Sequence, residues 1–308
     1  MNVVMTSPRL AAPAVSLIEA AGGILHYMPP YPTAEAIGTL AARLGAVAIL
    51  SRQGPVTAAV MDQVPSLRIV ARHGVGVDDV DVAEAGRRGI LVTRSPGSNT
   101  RAVAEHTLAL ILALVKDLPC QSAAVAAGGW RQAGTQVGDV AGLRLGLLGY
   151  GDIGRAVGRL AQAFAMEVTP HTSQGGADGL AALLARSDVL SLHLPMNVAN
   201  RHIIGAAQLA QLPQGAFIIN TSRGGLIDEG ALYGALESGH VGGAGLDVFE
   251  REPPRADHPL RTHPRVIVSP HVAGVTADSL VAMGVMAAEC IAAVLRGGQP
   301  PAACVVSP

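Results

Sequence analysis

The chain has 308 residues, of which 49% are hydrophobic and only 3% aromatic, so about two domains with Ala/Val/Leu/Ile cores are expected. Its 22 basic and 23 acidic side chains leave no basic field to hold nucleic acid or an anionic membrane surface, and neither partner is expected. Cys120, Cys290 and Cys304 lie far apart with no C-x-x-C pair, which argues against a disulfide framework or a thiolate zinc site and fits a reducing, cytoplasmic compartment.

The N-terminal stretch Met1 to Pro8 lacks the basic-then-apolar pattern of a signal peptide. Short apolar runs then read as strands at Asn2–Met5, Gly23–His26, Ala46–Leu50, Leu67–Ala71 and Ile90–Thr93, with Ala-rich amphipathic stretches between them. Such alternation predicts a mostly parallel sheet covered on both faces. One long helix is predicted from Arg101 to about Ala127, and its apolar run Leu108–Val115 is too short to span a bilayer. A Gly-containing loop, Gly128 to Gly142, follows. The alternation resumes with strands at Glu167–His171, Asp188–Leu194, Ala216–Asn220, Gly243–Asp247 and Val266–Val268. The segments at Glu252-Pro253-Pro254 and Pro300-Pro301 read as loops. The last predicted helix, Thr276 to Leu295, is long enough to return to the first unit. The expected fold is therefore α/β, with two doubly wound parallel sheets. Residues 1–98 with 278–308 form a discontinuous domain and residues 99–277 an inserted one.

The strongest single signal is Leu143-Arg144-Leu145-Gly146-Leu147-Leu148-Gly149-Tyr150-Gly151-Asp152-Ile153-Gly154. An apolar strand meets a Gly-x-Gly-x-x-Gly turn, and a helical stretch follows at once. That is the context of a dinucleotide site. Gly149 permits the tight turn, Gly151 a close approach of backbone to a diphosphate, and Gly154 close packing of helix on strand. The diphosphate would sit on the unpaired N–H groups of the helix, including those of Asp152 and Ile153.

Three later strands end in polar segments: Asn220-Thr221-Ser222-Arg223-Gly224, Asp247-Val248-Phe249-Glu250-Arg251-Glu252-Pro253, and Ser269-Pro270-His271 through Gly274. Ligands of open α/β sheets bind beyond the carboxyl ends of strands. An Arg, a carboxylate and a His make chemical sense together for hydride transfer to a carbonyl. The imidazole supplies a proton, the carboxylate orients it, and the guanidinium polarises the carbonyl and holds a neighbouring carboxylate. Taken singly, each has a plainer reading. Arg223 suits a surface Gly loop, Glu252 a solvated charged stretch, and His271 a strand end. Sequence distance alone cannot bring them together. His258 and His263 are close in sequence but lack neighbouring ligands, so no metal site is expected.

These segments, with His73-Gly74-Val75-Gly76-Val77-Asp78, Pro96-Gly97-Ser98-Asn99-Thr100 and Leu192-His193-Leu194-Pro195, resemble the D-isomer-specific 2-hydroxyacid dehydrogenases in the same order along nearly the whole chain. The resemblance implies a Rossmann nucleotide-binding domain inserted in a flavodoxin-like substrate domain. It implies NAD(P)-dependent hydride transfer between nicotinamide and a small 2-keto or D-2-hydroxy acid of the glyoxylate, hydroxypyruvate or phosphohydroxypyruvate type. His271 is then the acid/base, Glu252 its partner and Arg223 the substrate clamp, while the amides of Gly74, Val75 and Gly76 hold the substrate carboxylate. Thr221, Asn197, Asp247 and Gly274 join the glycine turn as cofactor contacts, Asp247 through the carboxamide. The resemblance also implies a homodimer built on the region after Thr100, in which Trp130 is a packing residue. The chain's end soon after the last helix implies that the regulatory domain of longer phosphoglycerate dehydrogenases is lacking. Two relatives of other activity share the fold: a nucleotide-sensing corepressor, and formate dehydrogenase, against which Glu252-Pro253 speaks.

The chain departs from the family pattern in two places. Thr172 stands where NAD-using relatives carry an Asp for the ribose hydroxyls, which removes repulsion of a 2′-phosphate; no Arg follows in Ser173-Gln174-Gly175-Gly176. NAD or NADP is therefore expected, with a slight preference for NADP. Asn197 stands where Thr is usual, still polar. Arg52, after an apolar strand, is a candidate for a second anionic substrate contact, and a solvated loop Arg is the equal alternative.

Overall fold

A computed structural model describes residues 1–131 and 136–307. The chain divides into two compact units, Met1–Asn99 with Val275–Pro308, and Thr100–Gly274.

The first unit runs β1 (Asn2–Met5), α1 (Ala12–Ala20), β2 (Ile24–Tyr27), α2 (Ala34–Leu44), β3 (Ala48–Ser51), α3 (Ala58–Gln63), β4 (Ile69–Arg72), α4 (Val82–Arg87) and β5 (Leu91–Thr93), and is completed by the C-terminal helix Ala277–Leu295. All five strands are parallel, in the order β2-β1-β3-β4-β5. This is the flavodoxin-like order. The strand period of two divides the apolar side chains between two faces. Val3, Met5, Ala48, Leu50, Ile69 and Ala71 pack with Ile18 of α1 and with Ala287, Ile291 and Val294 of the C-terminal helix. Val4, Ile49, Val70 and Val92 face the opposite way, onto Ile37, Val60, Met61 and Ala85 of α2–α4. Local signals set the helix ends. In α2 the Thr33 hydroxyl accepts from the amide of Ala36, and Gly45 closes the helix in the left-handed region at φ 57°. The chain's tail, expected as a loop, covers the β5 edge: Arg94 N–H donates to the Cys304 carbonyl at 2.8 Å and Val306 N–H to that of Val92 at 2.9 Å.

The second unit runs α5 (Thr100–Val115), α6 (Leu118–Ala126), β6 (Arg144–Leu148), α7 (Asp152–Ala163), β7 (Glu167–His171), α8 (Gly176–Leu184), β8 (Val189–Leu192), α9 (Ala206–Leu209), β9 (Ala216–Asn220), α10 (Glu229–Glu237), β10 (Val241–Leu246) and β11 (Val266–Val268). Its sheet is parallel, in the order β11-β10-β9-β8-β6-β7, so the order reverses between β6 and β8. Leu145, Leu147, Val189 and Ile219 face α5 and α7. Leu148, Leu190, Leu192, Ile218 and Leu246 face α8–α10. Gly245 lets α5 lie close on β10, since a Cβ there would come within 3.0 Å of the Leu110 Cβ.

One expectation is corrected. The single helix from Arg101 to Ala127 is two, α5 and α6, bent by 60° at their junction. Asp117 sits there at φ 49° and Pro119 lies in the first turn of α6. Proline has no N–H to carry the α5 ladder onward but is tolerated in the first turn of a helix, so a new helix starts there. The predicted loop 128–142 includes residues 132–135, which lie outside the described residues.

Candidate active site

The glycine turn leaves β6 at the point where the strand order reverses. Gly149 has φ 102°, and a Cβ on it would come within 2.6 Å of the His193 carbonyl. A Cβ on Gly154 would sit 2.3 Å from the Gly149 carbonyl. Both glycines are therefore required by close backbone approaches within the unit. Gly151 has open space where its Cβ would be. It is the N-cap of the 12-residue α7, and no side chain caps that end. An uncapped helix end beside an open glycine fits a diphosphate, whose oxygens can take the amides that no side chain has filled. Asp152 and Ile153 open α7. Thr172 follows β7 and begins a single 3-10 turn, with its side chain exposed and making no capping bond.

The polar strand ends converge within the same unit. A Cβ on Gly224 would lie 1.9 Å from the Phe249 carbonyl carbon. The turn after β9 thus rests directly on the backbone of the segment after β10, and this contact brings Arg223 to Glu252. The buried Asn220 fixes that turn, donating to the Arg223 carbonyl at 2.9 Å and accepting from Ser222 N–H at 3.0 Å. Arg223 Nη1 donates to the Ser222 carbonyl at 2.7 Å.

His271 Nδ1 pairs with Glu252 Oε2 at 2.7 Å, and Glu252 Oε1 accepts from Phe249 N–H at 3.1 Å. The bond to Glu252 pushes the imidazole pKa up, against burial and the Arg223 charge, which push it down. Burial alone would raise the Glu252 carboxyl, but its bond and charge interaction with His271, with help from Phe249 N–H and Arg223, hold it below the usual range. With Nδ1 committed to Glu252, Nε2 is the ring atom left to exchange a proton.

Asp247 is 1% exposed and ties down the loop that carries His271. Its Oδ1 accepts from Ser269 Oγ at 2.6 Å and Val272 N–H at 2.9 Å, and its Oδ2 from Ala273 N–H at 2.9 Å. Its carbonyl accepts from His271 N–H at 2.8 Å. These bonds hold His271 at φ 54°, a region rarely occupied by residues other than glycine. Thr221 is buried. Thr107 gives its proton to the Val103 carbonyl, so the Thr221 hydroxyl must donate to Thr107, 2.9 Å away. Asn197 spends its side-chain oxygen on the amides of Ala199 and Asn200. Gly274 ends the segment that Asp247 anchors.

The first unit, taken by itself, groups Arg52 with Gly74–Gly76. Arg72 Nε donates to the Gly76 carbonyl and its Nη1 to the Arg52 carbonyl, both at 3.0 Å. Ser95 N–H donates to the Gly74 carbonyl at 2.8 Å. Carbonyls are thus tied inward, and among the described residues no acceptor meets the amides of Gly74, Val75 or Gly76. Such a row of free amides suits a carboxylate. His73, next to it, is buried, and burial with the charge of Arg52 pushes its pKa down to about 4, so it stands neutral there.

Sequence reasoning missed the supports of this site. His106 of α5 bonds Ser269 Oγ at 2.9 Å, extending the Asp247 network. Glu250 pairs with Arg201 at 3.1 Å and with His202, and its N–H donates to Glu229 at 2.9 Å. The only advance signal was that these residues neighbour the motifs. Trp130, expected to pack in a subunit arm, is 80% exposed in the single chain. His258 and His263 pair with different carboxylates, Glu229 and Glu237. Among the described residues no group of three metal-ligating side chains forms.

Comparison with known proteins places this geometry. The profile of the D-isomer specific 2-hydroxyacid dehydrogenase NAD binding domain matches residues 108–273. The chain is 40% identical over 261 residues to a glyoxylate reductase of Korarchaeum cryptofilum, covering 80% of this chain and 79% of that protein. It is 39% identical over 253 residues to a D-3-phosphoglycerate dehydrogenase of Methanocaldococcus jannaschii, covering 79% of this chain and 48% of that one, about half its length. Among solved structures, the TT0316 protein of Thermus thermophilus superposes with a TM-score of 0.91 at 34% identity, over 99% of this chain and 100% of that one. A glyoxylate reductase of Paecilomyes thermophila gives 0.87 at 29% identity, over 99% and 98%. The chain belongs to the D-isomer specific 2-hydroxyacid dehydrogenase family, a family of nicotinamide-dependent oxidoreductases.

Proposed function

We propose that this protein reduces a small 2-keto acid to the D-2-hydroxy acid, and catalyses the reverse oxidation, with glyoxylate, hydroxypyruvate or phosphohydroxypyruvate as substrate type. The observation that carries this reading is the 2.7 Å pair of His271 and Glu252 held in one unit with Arg223. Gly149–Gly154 would hold the diphosphate of a nicotinamide cofactor, which when bound would supply or accept the hydride. In reduction, protonated His271 gives its Nε2 proton to the carbonyl oxygen as negative charge develops there. Glu252 keeps the ring oriented and favours its charged form. Arg223 holds the keto acid with its planar fork and stabilises charge on the carbonyl oxygen. Asp247 acts by fixing the His271 loop, which is a second duty beside any carboxamide contact. In the other unit, taken by itself, the amides of Gly74–Gly76, which meet no acceptor among the described residues, suit a carboxylate, and Arg52 a further anionic group.

The cofactor is proposed to be NADP(H) by a mild margin. No carboxylate stands at Thr172 to repel a 2′-phosphate, and the Thr172 and Ser173 hydroxyls are exposed beside His171. No cation stands in that turn, and Asp178 lies in the first turn of α8, so strong selectivity is not expected. A homodimer is also proposed: no residue of α6 is buried, and Leu118 and Val125 are 55% and 53% exposed. Light scattering giving a clean monomer mass at micromolar concentration would count against it.

The experiment that tests the activity follows oxidation of NADH and NADPH with glyoxylate, hydroxypyruvate, pyruvate and phosphohydroxypyruvate, in the wild type and in His271→Asn. Turnover with at least one keto acid is expected. The variant should lose about two to four orders of magnitude in turnover while still binding cofactor. Near-wild-type turnover in His271→Asn would overturn the acid/base assignment.

A further inference from the structure

The first residue of α7 is an acid, at the helix end proposed to receive the cofactor's diphosphate. The Asp152 side chain is 63% exposed, and Oδ1 accepts from Arg155 Nη2 at 2.6 Å. The Arg155 side chain, 54% exposed, folds back over the turn, and its Nη1 donates to the Tyr150 carbonyl at 3.0 Å. One guanidinium thus joins the carboxylate to the backbone of the glycine turn.

Stability does not account for this arrangement. An exposed ion pair of this spacing contributes little to folding. A cation in the first turn also opposes the helix dipole, although an acid there is favoured by it. The arrangement does matter for an arriving anion. A free carboxylate beside the N-terminal amides repels a diphosphate, and a paired one does not.

We propose that Arg155 is the built-in counter-ion of Asp152, cancelling its charge at the diphosphate end of α7 and thereby setting dinucleotide affinity. Arg155 is then a positioning residue that acts through Asp152 rather than by touching phosphate. The proposal rests on the nicotinamide reading of the glycine turn.

The test is a double-mutant cycle read as the Kd of NADH and of NADPH, by nicotinamide fluorescence and calorimetry without turnover. Arg155→Gln should weaken both dinucleotides about tenfold, the scale of one uncompensated, partly screened charge a few ångströms from a diphosphate. Asp152→Asn, which leaves Arg155 no carboxylate to cancel, should bind within about twofold of the wild type. The double variant should return to within about twofold of the wild type, because each substitution matters only through the other. Arg155→Lys, which keeps the charge, should bind like the wild type. If Asp152→Asn fails to fold, Asp152→Ser carries the same cycle, since Ser is well tolerated at a helix start. An equal loss from Arg155→Gln in the Asp152→Asn background would overturn the proposal and assign Arg155 a direct phosphate contact. Unchanged binding in Arg155→Gln would overturn it as well. A wild-type protein that binds neither dinucleotide would instead overturn the nicotinamide reading.

Discussion

Replacing Glu252 by Gln keeps the shape of the His271 partner and removes its charge. The pair is 2.7 Å apart, and its side chains are 50% and 37% exposed. A charge-assisted hydrogen bond contributes about 1.5–3 kcal/mol, and solvent screening at this exposure brings the difference down to about 1 kcal/mol. That corresponds to about a fivefold loss of kcat/KM where His271 is fully protonated. The pH dependence changes as well. Reduction needs the imidazolium, and Glu252 holds the imidazole pKa above its ordinary 6.5, so wild-type activity falls only as pH rises through that raised value. In Glu252→Gln the basic limb should move down toward 6.5. The assay is kcat/KM for keto-acid reduction from about pH 5 to about pH 10, with His271→Asn as the floor. A basic limb that coincides with the wild type, in a variant of unchanged thermal stability, would refute the coupling of the two groups. The same shifts set the sign for folding. The His271 contribution is complete below pH 6.5 and is lost as pH rises through its raised folded pKa. The Glu252 contribution is present above 4.5 and is lost as pH falls through its depressed one. Both are small at this exposure.

Three further outcomes are expected. Arg223→Lys keeps the charge but loses the planar fork, and should raise KM and lower kcat together in steady-state kinetics; unchanged values of both would remove Arg223 as the clamp. Gly224→Ala puts a methyl 1.9 Å from the Phe249 carbonyl carbon, where only backbone can move. It should destabilise by about 1–3 kcal/mol or more and separate Arg223 from Glu252. Thermal melts and kcat both falling would meet that expectation, and a fully active, equally stable variant would contradict it. Thr172→Asp should move the ratio of kcat/KM values toward NADH, by the about 1.5–3 kcal/mol of a charge-assisted hydrogen bond to ribose. A wild type favouring NADH more than about tenfold would show that another group holds the ribose.

The residues that were legible in advance are those whose signal is local. The Leu145–Leu148 run, the glycine turn and the helix after it announced a strand, turn and helix because each depends on neighbours within a few residues. Asn2–Met5, Glu167–His171, Ala216–Asn220 and Val266–Val268 have the same bounds in the structure, since short apolar runs between turn residues leave little choice. The junction at Lys116–Asp117 was hidden by the apolar residues on both sides of it. Arg223, Glu252 and His271 were named from motifs, but nothing along the chain could bring them together. That was decided by tertiary contacts: Gly224 pressed on the Phe249 backbone, and the Asp247 carboxylate gathering the amides of Val272 and Ala273. The supports at Arg201, His202, Glu229 and His106 were illegible for the same reason. A hydrogen bond spanning many residues, such as that between His106 and Ser269, leaves no period or spacing in the sequence and exists only once α5 packs on the sheet whose last strand leads into Ser269.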